Sequence, residues 1–118
     1  MLKLNHKNLN VWKLSIHFIK DIYKLTESFP KNEIFGITNQ MRRASVSIAS
    51  NIAEGASRKS MLERKRFFEI SRSSLVEIDT QLEIAIELEI ISLSNIKLLE
   101  EKLNQLFAMM SRLIEKSH

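Results

Sequence analysis

Three histidines, His6, His17 and His118, are the only side chains in this 118-residue sequence that ordinarily titrate near neutral pH. Only His118 stands three residues after a glutamate, Glu115, so the two Glu-x-x-His pairs that together hold metal ions in helical bundles are missing. The chain has no cysteine, which removes thiolate metal sites, disulfides and cysteine nucleophiles. Serines are plentiful, but they fall in helix-forming segments without a nucleophile elbow, and one usable histidine on the first helix makes no triad. No Gly-rich loop offers a phosphate cradle. Glu83 and Glu87 stand one helical turn apart, the spacing of a solvated acidic face. Arg112 and His118 echo the spacing of a motif in some helical-bundle ribonucleases, but Leu113 occupies a position where that motif is polar. The expectation is a protein without enzymatic activity, metal or cofactor, with a ribonuclease as the lesser alternative.

The remaining chemistry is electrostatic. The net charge is +4 and unevenly spread. Residues 56–72 carry Arg58, Lys59, Arg64, Lys65, Arg66 and Arg72 against Glu63 and Glu69. Residues 77–101 carry Glu77, Asp79, Glu83, Glu87, Glu89, Glu100 and Glu101 against Lys97. Such a division is either two solvated helix faces or a basic patch for polyanions with an acidic surface elsewhere.

Helices must position these charges. Two glycines and one proline are too few for the turns of an all-β fold. A first helix is expected over 10–29, where Val11, Leu14, Phe18, Ile22, Leu25 and Phe29 recur at spacings of three or four. Trp12, Ile16, Ile19 and Tyr23 add a second apolar stripe, which implies either a wide core face or a subunit interface. Pro30 disfavours helical geometry at Phe29 and ends this element. A second helix is expected over 33–53, with Ile37, Met41, Ala44, Ile48 and Ile52 inward and many small residues around them. Gly55 then reads as a left-handed helix terminator.

Ser60 and Glu63 form a capping-box pattern that opens a third helix over 60–89, its seam running through Phe67, Ile70, Ser71, Ser74, Ile78, Leu82 and Ala85. A fourth helix over 94–115 carries Ile96, Leu99, Leu103, Leu106, Met110 and Leu113. Short connections between four such helices predict a single all-α domain over 1–118, an antiparallel up-down-up-down four-helix bundle. The N-terminal ten residues lack the apolar core of a signal peptide, and charges interrupt every apolar run, so a cytoplasmic protein without a membrane span is expected.

Several segments resemble one family. They are Leu9 to Lys13, Phe29-Pro30, Gly36 with Gln40 to Ala44, Ser47 to Gly55, and Ser74 to Leu82. The chain resembles, over about residues 9–113, the four-helix-bundle proteins encoded in intervening sequences of bacterial 23S ribosomal RNA genes. It departs from the family's usual Pro-Ala at Ala49-Ser50 and from its Ala-x-Gly-Ser-Leu at Ser71 to Leu75. The resemblance implies a four-helix protomer, a barrel-like homopentamer and no established enzymatic activity. A related accessory protein of diversity-generating retroelements shares the architecture and binds nucleic acid through basic surface.

The resemblance puts Arg42 and Arg43 beside a core alanine, Ala44, with one of them outward. With Arg58, Lys59, Arg64, Lys65 and Arg66 around a helix start, they form the candidate nucleic-acid-binding set, since both helix amides and cations attract phosphate. Phe67 and Phe68 are expected in the core, so the expected ligand is structured RNA or DNA read by backbone and shape rather than by base stacking. Within the matching motifs, Trp12, Asn51, Glu54, Gly55 and Gln81 are expected to be structural or to hold the oligomer. The alternative partner is an unknown protein, bound by a structural or interaction module with no nucleic-acid role.

Overall fold

The computed structural model describes residues 1–117 and contains four long helices, with no strand among the described residues. Helix α1 spans Asn10–Thr26 and buries Val11, Ser15, Phe18, Ile22 and Thr26 along one face. It stops three residues before the expected end at Phe29. The Thr26 hydroxyl donates to the Ile22 carbonyl at 2.8 Å, and the next amides tighten to three-residue spacing, Phe29 N–H reaching Thr26 O at 3.1 Å. That tightening turns Phe29 into the core, where it is buried.

A short 3-10 turn, Lys31–Glu33, replaces the expected start of the second helix, and α2 spans Ile37–Ser57. Its far end also differs from expectation. No glycine has a positive φ, and Gly55 lies inside the helix, buried. A Cβ at Gly55 would stand 2.5 Å from Cε1 and 2.8 Å from Cδ1 of the Phe68 ring, and 3.2 Å from the Arg64 carbonyl oxygen. The glycine is there because α3 crosses too closely for any side chain, not because the chain turns left-handed.

Helix α3 spans Met61–Glu87, and the Ser60 hydroxyl caps it by accepting from the Glu63 amide at 3.3 Å. Its buried face runs through Phe68, Ser71, Ser74, Leu75, Ile78, Gln81, Leu82 and Ala85. Phe67 is half-buried and Ile70 exposed, contrary to the expected seam. The seven-residue repeat itself holds, through Phe68, Leu75 and Leu82 and through Ser71, Ile78 and Ala85, and Phe67 and Ile70 each lie one position before it. The left-handed residue that Gly55 was expected to supply occurs instead at Glu89, with φ 60°. There Ile90 N–H bonds Ala85 O and Glu89 N–H bonds Ile86 O, both at 2.9 Å, which is a Schellman closure of α3.

After a 3-10 turn at Leu93–Ile96, α4 spans Lys97–Glu115 and buries Leu99, Leu103, Leu106, Met110 and Ile114. Ile114 takes the inward place expected of Leu113, which is half-buried, because a helix with 3.6 residues per turn drifts by about 20° per heptad from a strict seven-residue repeat. Helix α1 packs on α2 and α4, and α3 packs on α2 and α4, so the four close a ring around one apolar core. Small side chains let α2 and α3 bond directly. The Ser71 hydroxyl donates to the Ile48 carbonyl at 2.9 Å, and that of Ser74 to Ser47 Oγ at 3.0 Å. No helix among the described residues is long and apolar enough to cross a membrane.

Candidate nucleic-acid interface

The α2–α3 connector carries the densest run of cations, and its geometry divides them by role. Arg64 points back from the first turn of α3. Its Nη1 donates to the Ala56 carbonyl at 3.0 Å and the Arg58 carbonyl at 3.3 Å, satisfying carbonyls that the end of α2 leaves open. Its guanidinium also sits 5.7 Å from the centre of the Phe68 ring. Arg64 therefore fixes the connector. Arg58 is exposed, pairs with Glu54 at 3.2 Å, and lies 4.9 Å over Phe67. Such an exposed pair contributes little stability and leaves Arg58 within reach of a stronger anion. Lys65 is half-buried and has a partner within the fold. Lys59 and Arg66 are exposed, on either side of the Ser60 cap.

Arg42 and Arg43 are separated from this cluster. Arg58 follows Arg43 by fifteen positions along α2, about 22 Å at 1.5 Å per residue. Arg42 is folded onto α1: its Nε donates to Thr26 Oγ1 at 2.7 Å, its Nη2 to the Tyr23 carbonyl at 3.4 Å, and its guanidinium covers the Tyr23 ring at 4.7 Å. Arg43 is exposed.

The fold brings other cations to the connector's end of the bundle. Leu4, Asn5 and His6 lie against Ala53 to Ser57 across a cleft of about 460 Å³, which places the exposed Lys3 nearby. Leu9 and Asn10, at the start of α1, share a second cleft with Arg112 and Lys116 at the end of α4, and both cations are exposed. Lys3, Arg112 and Lys116 were not singled out as binding residues from sequence, because they come from opposite ends of the chain. Their only sequence signal is the expectation that the outer helix ends meet.

The structural residues also take definite places. Trp12 is half-buried against the core and meets His6 edge-on, with ring centres 5.1 Å apart. Asn51 Nδ2 donates to the Ser47 carbonyl at 2.8 Å and to Ser47 Oγ at 2.9 Å, extending the Ser47–Ser74 link between α2 and α3. Gln81 is buried. Its Nε2 donates to Glu77 at 3.3 Å, while its carbonyl oxygen has no hydrogen-bond partner among the described residues. His17 is exposed, and His118 lies outside the described residues. No cluster of three or more metal-ligating side chains occurs among the described residues.

Four helices around one apolar core, with exposed cations at one end, define a small helical-bundle protein. The family model described as 23S rRNA-intervening sequence protein matches residues 7–112. The chain belongs to that family. A comparison with curated proteins found no match.

Proposed function

We propose that this protein is a non-enzymatic, self-associating four-helix bundle that binds structured RNA or duplex DNA through the phosphate backbone at its basic end. The observation that carries the reading is the division of labour at the connector. Arg64 and the Ser60 cap hold the backbone still, while Lys59 and Arg66 stand in solvent beside the amino end of α3. Solvated cations next to a helix amino terminus suit a phosphate chain without regard to base sequence. An antiparallel up-down-up-down arrangement is supported by contacts whose numbering runs in opposite senses on α2 and α3: Gly55 with Phe68, Ile48 with Ser71.

Self-association is supported by the second stripe of α1. Ile16 and Tyr23 remain exposed on it, although each has apolar surface to hide. A ring such as a homopentamer would repeat the basic end once per copy, and bind with the avidity of linked sites. A protein partner is the second reading, favoured by Phe35, which is 92% exposed just ahead of α2.

The test is filter binding of an RNA hairpin and a DNA duplex to the wild type and to Lys59→Glu/Arg66→Glu. Two charge reversals are expected to weaken binding to both ligands at least tenfold, with no change in melting temperature. Equal affinity of variant and wild type would remove the reading.

A further inference from the structure

Two outward grooves of the bundle carry opposite charge, and they lie on opposite sides. The first runs between α1 and α2. Tyr23 lies under the Arg42 guanidinium, which fixes its stripe on the α2 side of α1. Ile19 and Ile16 precede Tyr23 on that stripe by one and two turns. Ile16, Tyr23 and, on α2, Val46 are each 40–42% exposed. Lys20 and Arg43 are exposed on the same two helices, and Glu27 stands one turn past Tyr23.

The second groove runs between α3 and α4. It encloses about 290 Å³ between Leu75, Val76, Asp79, Leu103, Asn104 and Phe107. Val76 is 53% and Phe107 41% exposed. The groove continues past Asp79 and Leu103 to Glu83 and Glu100, so three carboxylates border its apolar floor. Arg72 closes the other end, its guanidinium 5.8 Å from the Phe107 ring centre and bonded to Ser111 at 3.2 Å.

The helices form a ring in which α1 and α2 are neighbours and α3 and α4 are neighbours. These two pairs are the opposite halves of the bundle, and their outer grooves face away from each other.

We infer that the α1–α2 groove of one copy docks on the α3–α4 groove of the next, Lys20 and Arg43 meeting Asp79 and Glu83 around an apolar centre of Ile16, Tyr23, Val46, Val76 and Phe107. This rests on the self-association proposed above and specifies its geometry. Neither groove can pair with itself, because that would bring like charges together around the apolar strip. The contact is therefore head-to-tail, and a head-to-tail contact generates a closed ring or an open fibre rather than a two-fold dimer. The occupant is a second copy rather than a nucleic acid, because phosphates would be repelled from the acidic groove. A specific interface covers about 800 Å² per partner. Two such patches are a modest share of the protomer's 7756 Å² surface, and each groove runs along a molecule 44 Å long.

The experiment is light scattering on the wild type, Lys20→Glu/Arg43→Glu, Asp79→Lys/Glu83→Lys and the fourfold combination, with circular dichroism to show that each variant folds. The wild type is expected to form a multiple of 13.7 kDa. Each twofold variant is expected at the protomer mass, because both of its grooves then carry one sign. The fourfold variant, with complementarity restored in reversed polarity, is expected to recover the wild-type mass. An oligomeric wild type whose folded twofold variants keep their mass, or whose fourfold variant stays monomeric, overturns the groove pairing and leaves self-association standing. A monomeric wild type overturns both.

Discussion

Replacing Gly55 with alanine tests how the basic connector is built. In a helix interior this change alone would stabilise by about 1 kcal/mol, because alanine restricts the unfolded chain and favours the helix. Here the added methyl would sit 2.5 Å from one Phe68 ring carbon and 2.8 Å from another. Non-bonded carbons rest at about 3.5–4.0 Å, so the overlap is about 1 Å. The Phe68 ring is fully buried, and the Arg64 carbonyl stands 3.2 Å away, so neither ring nor helix can shift freely. Overpacking of this kind costs about 1–3 kcal/mol. After the propensity gain, the expected net loss is about 1 kcal/mol, or a melting temperature lower by roughly 4 °C for a domain of this size.

Thermal unfolding followed by circular dichroism reads it. Gly55→Asn separates the two explanations for the glycine. Asparagine tolerates a left-handed terminator, so it would be milder than alanine if Gly55 ended the helix, and is harsher if Phe68 is the obstacle. Adding Phe68→Leu should make the alanine cost smaller, a coupling that a double-mutant cycle measures. A melting temperature that holds or rises in Gly55→Ala would refute the close-crossing argument.

Other changes separate structure from binding. Arg64→Met should lower stability by about 1–2 kcal/mol, since two carbonyls lose their donor, while the salt dependence of nucleic-acid binding stays near that of wild type. Lys59→Met should do the reverse, leaving melting unchanged and reducing the salt slope by about one unit. Asn51→Ala removes both bonds to Ser47 and should cost about 1–2 kcal/mol; an unchanged melting temperature would show that these bonds within α2 contribute nothing. Glu89→Gly relieves a left-handed backbone and should gain about 1 kcal/mol, seen as a higher urea midpoint at unchanged m-value.

The four helices and most inward residues were legible in the sequence because apolar spacing reports a helical face directly. The ends were not, because they depend on contacts between elements. Gly55 carries the local signature of a terminator, and nothing nearby in sequence announces that Phe68, thirteen residues on, needs its space. Phe67 and Ile70 each lie one position before the seven-residue seam that α3 buries, and adjacent apolar pairs such as Phe67-Phe68 leave that register open in the sequence. For the candidate site, Arg58 to Arg66 form a local run and stood out at once. That Arg64 and Arg42 are absorbed by carbonyls and rings of neighbouring segments follows only from the fold. So does the arrival of Lys3, Arg112 and Lys116 at the same end.

The most direct test of the basic end is the salt dependence of binding to an RNA hairpin, measured for the wild type between 50 and 200 mM monovalent salt. If four or five side chains among Lys3, Lys59, Arg66, Arg112 and Lys116 each neutralise a phosphate, the logarithmic slope is about −4 and affinity falls by roughly two to three orders of magnitude across that range. A flat titration, or no binding at the lowest salt, would contradict the account.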